Sequence, residues 1–288
     1  MSSQTAQERV NSSRGALRRP FKLAAETIRD LRTTIPISFT MALREISSNY
    51  RKSKLGFLWL AIQPALYAGI FVIIKFGMRG AGFDVDVGSA PPALFALVGM
   101  TLYQAWFEAL TEQLESVRRS ASLLKTVRFP PETFFFTPMI IALINLAIRL
   151  CVIAVAAIAL GWVPGPEAFW FPLAAVGVVF VGQAIGLVLM PLASLYQDVR
   201  RFVSSISIGL LLLSPVLYPA TTKTDTLLHA INTWSPLAAT LATTRDLLLG
   251  GSFILLGPAI AWFVAAVVAT VFMMIFIRAV LPIIVERL

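Results

Sequence analysis

The stretch REISSNYRKSKLGFLWLAIQPALYAGIFVIIKF, residues 44–76, determines the architecture that the sequence predicts. Its first part contains four Lys and Arg side chains. From Leu55 it becomes apolar for the roughly 20 residues that a helix needs to cross a bilayer core. A basic flank marks the side of a spanning helix that faces the cytoplasm. The stretch therefore predicts a first spanning helix that runs from the inside to the outside.

The composition of the whole chain agrees with a polytopic membrane protein. Of the 288 residues, 57% are hydrophobic and 14% are charged, and the mean hydropathy is +0.79. Soluble domains are only about 45 to 50% apolar. The net charge of +9 comes mostly from residues before Ser53 or in short loops. This pattern indicates a cytoplasmic face and anionic lipid rather than a nucleic acid partner.

Six apolar runs predict an all-α integral membrane protein with both termini on the same side. The predicted spans cover residues 55–78, 92–110, 134–160, 169–193, 202–217 and 258–281. Lys and Arg are concentrated before the first span, in the second and fourth connecting loops and in the C-terminal tail. These segments are cytoplasmic in an N-in, C-in topology, which the positive-inside rule favours.

The chain divides into a tail, an interfacial segment and a membrane domain, and the membrane domain contains two notable connecting segments. Residues 1–36 predict a cytoplasmic tail and a short amphipathic segment, and Pro36 is expected to separate that segment from a second helix. Residues 37–54 predict an interfacial amphipathic helix, with a solvated linker as the alternative. Residues 55–288 form the predicted permease domain, in which residues 112–133 are a cytoplasmic loop and 218–252 an outer segment.

The outer segment, residues 218–252, is too apolar for an ordinary loop. Its apolar runs are interrupted by prolines and glycines and are too short to span a bilayer, which takes about 20 residues. We expect a pair of short re-entrant or interfacial helices on the outer side. A seventh span here would instead place the C-terminus outside.

One face of the first predicted span and one face of the fifth carry aromatic, amide and hydroxyl side chains. Those on the first span are Trp59, Gln63, Tyr67 and Phe71. Those on the fifth span are Ser204, Ser207, Ser214 and Tyr218. Residues four apart drift by only about 40° around a helix, so the first set forms one stripe. Such side chains are typical of a path for sugars, and the alternative is helix packing and interfacial anchoring.

Two features inside the predicted spans require close partners. Asn145 and Arg149 lie one turn apart, and an Arg at mid-depth costs about 2.5 to 3.5 kcal/mol on insertion scales. Arg149 is therefore expected to pair within the protein or to meet an anionic head group. Gly182-x-x-x-Gly186 lets two helices approach closely, either within one chain or between two copies.

The sequence contains no motif for nucleotide hydrolysis or for a metal site. It has no G-x-x-x-x-G-K-[ST] loop, no H-E-x-x-H and a single histidine, His229. The only cysteine, Cys151, excludes an intrachain disulfide and a cysteine metal cluster. The second loop, SVRRSASLLKTVRFPPETF, predicts a short basic helix that docks on a soluble partner, unless its charge only marks the cytoplasmic side.

Several motifs occur together and in order along the chain. They are RKSKLGFLWLAIQP, GMTLYQAWFEAL, LLKTVRFPPETF, LASLYQDVRRF, SPVLYP and NTWSPL. From Ile37 onward the chain resembles the permease subunits of ABC transporters that export polysaccharides, in the O-antigen and teichoic-acid branch. The resemblance implies a homodimer of six-helix protomers in the bacterial inner membrane, a lipid-linked polysaccharide substrate, and two copies of a separate ATPase. ATP and magnesium would bind to that partner, so no cofactor is expected on this chain.

The resemblance also implies roles for individual residues. The first and fifth spans would line the translocation path, and residues 218–252 would form gate helices. The residues that would receive the movements of the ATPase are Arg44, Glu45, Arg118, Lys125, Arg128, Phe129, Asp198 and Arg200. Two features depart from the family pattern: residues 1–20 have no assigned role, and Trp234-Ser235-Pro236 stands where Asn-Pro is usual.

Other functions remain open at this point. Permeases for capsular polysaccharide, teichoic acid, small lipids or drugs share the implied fold. An ion-coupled secondary transporter would need an acidic relay inside the spans, for which Glu108 is the main candidate. A membrane glycosyltransferase would need loop carboxylates for a metal, and only Asp84 and Asp86 offer them.

Overall fold

A computed structural model describes residues 20–51, 54–77, 90–119, 130–220 and 227–287. All regular elements in these ranges are helices. Two short 3₁₀ helices, Gly56–Leu58 and Pro166–Trp170, each lead directly into a longer α-helix. The helices are α1 (Pro20–Arg51), α2 (Trp59–Gly77), α3 (Pro92–Arg119), α4 (Thr133–Ala159), α5 (Phe171–Leu195), α6 (Gln197–Leu213), α7 (Leu227–Trp234), α8 (Pro236–Leu249) and α9 (Leu256–Arg287).

Within the described ranges, four helical stretches are long and apolar enough to cross a membrane. They are Pro92–Arg119, Thr133–Ala159, Pro166–Leu195 and Leu256–Arg278, and they overlap the second, third, fourth and sixth predicted spans. The chain is therefore an integral membrane protein whose described regular elements are all helices. The first and fifth predicted spans correspond to α2, of 19 residues, and α6, of 17 residues. Their crossing of the membrane, and with it the six-span count and the orientation, stays a prediction.

The core of the fold is the contact between α3 and α5, where two glycines allow the backbones to approach. A Cβ at Gly182 would overlap the carbonyl oxygen of Trp106, and a Cβ at Gly186 would overlap that of Leu110. Next to them, Gln183 Nε2 donates to Gln113 Oε1 at 3.0 Å and to a carbonyl of α4 at 2.8 Å. The small-residue spacing thus serves packing within one chain, as expected where close contacts replace hydrophobic association.

The prediction that Pro36 separates two helices is wrong, because α1 continues through it from Pro20 to Arg51. Thr34, Ser38, Ala42 and Ile46 recur every four residues and are buried, and α1 packs along α4. Ala42 and Ile46 join Ile141 of α4 in one apolar cluster. A proline inside a helix costs about 3 kcal/mol, and we attribute the continuity to this packing. The neighbouring face, about 100° around the helix from the buried one, exposes an apolar stripe of Ile35, Phe39 and Leu43.

The outer segment contains the two short helices that the sequence predicts, α7 and α8. Ser235 caps α8 by accepting a hydrogen bond from the backbone N–H of Ala238, and Pro236 occupies the first helical turn. Gly250, with a φ of 74°, ends the helix in the left-handed conformation. The unusual Trp234-Ser235-Pro236 run therefore starts a capped helix. Most of α8 is buried against α5, α9 and α3.

Candidate coupling and translocation site

Charged side chains from α1, α3 and α6 meet at one end of the bundle. Arg119 is the last residue of α3, and its Nη1 donates to Glu45 Oε1 of α1 at 2.8 Å. The same guanidinium binds both carboxylate oxygens of Glu112. Its Nε lies 3.4 Å from Glu115 Oε2. One arginine thus contacts three carboxylates from two helices.

A second arginine extends this arrangement to α6. Arg200 Nη1 lies 3.5 Å from Glu115 Oε1. An unbroken series of ion pairs therefore runs from Glu45 through Arg119 and Glu115 to Arg200. These four residues and Glu112 are called the charge network below.

The charge network includes two residues that the sequence predicted for coupling, Glu45 and Arg200, and three that it missed. The missed residues are Glu112, Glu115 and Arg119. Their spacing of three, four and seven residues is the signal that could have found them, because residues at these separations lie on one face of a helix. The network borders a small cleft between α1, α3 and α4 that is also lined by Ser116 and Thr133.

The other residues predicted for coupling lie outside the charge network or outside the described residues. Arg44 and Arg118 are exposed. Asp198 is also exposed and pairs only loosely, at 3.9 Å, with Arg201. The positions of Lys125, Arg128 and Phe129 lie outside the described residues.

The acidic residue of the FPPE motif is buried and holds two helices together. Glu132 precedes α4, and its Oε1 accepts a hydrogen bond of 2.9 Å from Arg278 Nε of α9. Only 1% of the Glu132 side chain is exposed, against 11% of that of Arg278. Glu132 therefore fixes the start of α4 to α9.

The stripe predicted on the first span lies on α2 and faces outward from the single chain. Trp59, Gln63 and Tyr67 are exposed. Phe71 belongs to α2, and its side chain is outside the described structure. Leu66, beside Tyr67, is exposed as well. This face of α2 is available to lipid or to another copy of the chain.

The residues predicted on the fifth span lie on α6 and in the turn after it. Ser207 is half-buried, and its carbonyl oxygen accepts a hydrogen bond of 2.5 Å from the hydroxyl of Tyr103. Ser214 is buried and ends α6. Tyr218 is half-buried and donates its hydroxyl to the carbonyl of Leu213 at 2.6 Å. The helix α2 packs against α3 and α4, and α6 packs against α3, α5 and α7. The two stripes therefore lie on helices that share α3 as a neighbour.

A buried arginine holds the turn after α6, and sequence reasoning missed it. Only 1% of Arg245, on α8, is exposed. Its Nη1 donates to the carbonyl oxygens of Pro215 at 2.6 Å and Tyr218 at 3.4 Å. Its guanidinium carbon lies 4.0 Å from the ring centroid of Phe95, a cation–π contact. Because Gly99 has no Cβ, the carbonyl group of Val216 in this turn fits closely against α3.

The environment of Arg245 leaves its charge in place. Burial lowers the pKa of Arg245 to about 10, so the guanidinium is protonated at neutral pH. A charge so far from water needs polar partners, and the carbonyl groups after the end of α6 supply them. The signal in the sequence was an arginine inside the apolar run LAATLATTRDLLL.

The structure pairs Arg149 with Glu108, which is the kind of internal partner that the sequence predicts. Arg149 Nη2 of α4 lies 2.5 Å from Glu108 Oε2 of α3. Asn145, one turn before Arg149, donates its side-chain amide to the other oxygen of the same carboxylate. The three side chains form a buried polar contact between two spanning helices, and the prediction that Arg149 pairs within the protein is confirmed.

The sequence matches a known family over most of this structure. Residues 38–249 match the ABC-2 type transporter family. The chain belongs to this family. An ABC-2 protein is a membrane permease, and membership implies an ABC ATPase as partner. All members of the charge network and Arg245 lie within the matched region, whereas α9 follows it.

Several relatives of this ABC-2 protein carry descriptive names. It is 27% identical over 214 residues to an O-antigen export system permease protein RfbA of Klebsiella pneumoniae, covering 73% of this chain and 78% of the relative. It is 26% identical to an RfbA of Myxococcus xanthus, with coverages of 69% and 74%. It is 25% identical to the capsule polysaccharide export inner-membrane protein CtrC of Neisseria meningitidis serogroup A, with coverages of 62% and 66%.

Proposed function

We propose that this chain is the transmembrane subunit of an ATP-driven exporter that moves a lipid-linked, O-antigen-like polysaccharide across the bacterial inner membrane. The observation that carries the proposal is the family match over residues 38–249, together with relatives named for O-antigen export. Capsular polysaccharide is the second candidate substrate, because CtrC and BexB are named for capsule export. Both substrates are long glycans, so the same path serves either.

The proposed transporter contains two copies of this chain and two ATPase subunits. Each protomer crosses the membrane six times, with α2 and α6 as its first and fifth spans and both termini in the cytoplasm. The exposed Trp59 and Tyr67 of α2 support a path at the seam between two copies, since aromatic rings there would stack on sugar rings. The helices α7 and α8 would form the outer gate.

The proposed mechanism starts at the ATPase. The exposed charges of Arg44, Arg118 and Asp198, and residues 120–132 between α3 and α4, would receive the closure of the two ATPase subunits. This movement would separate the α2 and α6 pairs of the two protomers. The lipid carrier would stay in the bilayer while the sugar chain passes between them.

The geometry favours this mechanism over an ion-coupled secondary transporter. The main candidate for a proton relay was Glu108, and its carboxylate is bound by Arg149 and Asn145. Both oxygens of this carboxylate are thus in contact with donors of α4, which hold the side chain in place between the two helices. Its role is better explained as a contact between α3 and α4.

The test is to co-express this chain with the ATPase encoded beside its gene and to purify one through a tag on the other. We expect a stable complex whose ATPase activity rises when lipid-linked glycan is added. A complex whose partner lacks its phosphate-binding-loop lysine is the matched control and should show no activity. Recovery of this chain without any ATPase would contradict the proposal.

A further inference from the structure

The charge network joins three helices around one residue, Arg119. We propose that Arg119 is a positioning residue that makes α1, α3 and α6 respond together when the ATPase acts. This inference rests on the proposed exporter function and names the contact that transmits the stroke. Glu45 and Arg200 are among the residues predicted to respond directly to the ATPase movement. Ion pairs through Arg119 and Glu115 connect these two residues.

The connection between α1 and α3 depends on long side chains. The packing of α1 is along α4 and α9. Its bond to α3 is the 2.8 Å contact from Arg119 Nη1 to Glu45. Bidentate arginine contacts fix direction as well as distance, and such a contact with Glu112, also on α3, orients the Arg119 guanidinium. A movement of the end of α3 is therefore passed to α1 through the single hydrogen bond from this oriented guanidinium to Glu45.

The position of Arg119 suits this role. It is the last residue of α3, directly before the loop that we expect to meet the ATPase. A cation is also favoured at the C-terminal end of a helix by the helix dipole. A displacement of the residues that follow Arg119 would therefore reach it before Glu112 and Glu115, the other two members of the charge network on α3.

The charges around Arg119 explain why another side chain cannot fully replace it. The network contains three carboxylates, Glu45, Glu112 and Glu115, and two guanidinium groups. Without Arg119, Glu45 and Glu112 would face each other with no cation between them, and repulsion would separate α1 from α3. A lysine keeps the charge but has no planar fork to bridge several carboxylates.

Loss of Arg119 should affect coupling more than folding. Its side chain is 35% exposed and that of Glu45 is 27% exposed. Ion pairs at this exposure contribute little to stability, and the core contact of α3 with α5 does not include them. The Arg119→Gln chain is therefore expected to fold, assemble and bind the ATPase.

The first experiment measures glycan exported per ATP hydrolysed in the complex reconstituted into lipid vesicles. We expect Arg119→Gln to lower this ratio by about fivefold or more, the lower range of coupling between sites. Its ATPase rate should stay within about twofold of the unmodified complex, because substitutions at exposed positions change stability little and Arg119 is not part of the ATPase. Arg119→Lys should give an intermediate ratio. The matched control is Arg32→Gln, which removes an exposed guanidinium of α1 outside the charge network.

The second experiment replaces the ion pair by a covalent link. In a Cys151→Ala background, Glu45→Cys and Arg119→Cys are joined by a short reversible reagent that reacts with two thiols. We expect the double cysteine chain to be uncoupled before the reaction, to recover export per ATP after it, and to lose this gain when a reductant releases the link. The link would restore nothing if α1 and α3 had to move apart.

Three results would overturn the inference: an unchanged export ratio in Arg119→Gln, an equal fall of export and ATPase activity, or a cross-link that does not restore export per ATP. The proposed function fails in a different way. If the unmodified complex shows no ATP-dependent export of glycan, the exporter assignment is refuted, whatever the Arg119 variants do.

Discussion

The buried contact between Glu108 and Arg149 makes a quantitative prediction about stability. The two charged groups lie 2.5 Å apart, and only 5% of the Arg149 side chain and 24% of the Glu108 side chain are exposed. Asn145 donates to the same carboxylate. Removing either partner leaves a charge inside a membrane protein, where an unpaired charge is unfavourable.

The size of the effect follows from this burial. Breaking a buried ion pair by removing one partner costs about 3 to 5 kcal/mol. At about 2 °C per kcal/mol for a chain of this size, Glu108→Gln or Arg149→Met should each lower the melting temperature by about 6 to 10 °C. The double variant leaves no unpaired charge and should lose less than the sum of the two single changes.

Thermal unfolding in detergent, followed by size-exclusion chromatography of the heated samples, measures these shifts. Glu167→Gln, which changes an exposed carboxylate in the 3₁₀ helix Pro166–Trp170, is the matched control and should leave the melting temperature unchanged. Strictly additive single changes, or a shift below about 2 °C for Arg149→Met, would refute the reasoning about the pair. An Arg149 variant of normal stability would reopen the role of Glu108 in proton transfer.

Three further predictions concern the path, the core and the turn after α6. Tyr67→Ala combined with Phe71→Ala should reduce surface glycan while the complex still assembles on size exclusion; an unchanged amount of glycan would contradict the path. Gly186→Leu should prevent recovery of folded protein because α3 leaves no space for a side chain. The control, Gly209→Ala, adds a methyl group in open space and should be neutral. A normal yield of the leucine variant would contradict the packing. Arg245→Met should lower the melting temperature by at least about 6 °C because buried carbonyls lose their donor. Arg245→Lys should lower it by less. Equal melting temperatures of the unmodified chain and both variants would contradict the proposed contacts.

The sequence predicted those elements whose signal lies in one segment. Apolar run length identified the four long helices, since a bilayer sets a minimum span. Proline and glycine breaks identified α7 and α8 as short helices. The cost of an unpaired charge predicted an internal partner for Arg149, without identifying Glu108 as that partner.

Other features depended on contacts between distant segments, which one segment cannot reveal. Pro36 is a strong local signal for a break, and the packing of α1 on α4 overrides it. Arg119 looked like one of several basic residues in a positive loop. Its importance appears only when Glu45, 74 positions earlier in the chain, lies beside it. Arg245 likewise meets carbonyl groups that become free because α6 ends at Leu213.

Transport by the reconstituted complex tests the central claim most directly. The purified chain and its ATPase are placed in lipid vesicles with a lipid-linked glycan, and the glycan that appears on the opposite side is measured with an enzyme that cannot cross the bilayer. We predict accumulation that requires ATP and stops when the ATPase lacks its phosphate-binding-loop lysine. Accumulation driven by an ion gradient without ATP, or none under any condition, would contradict the account.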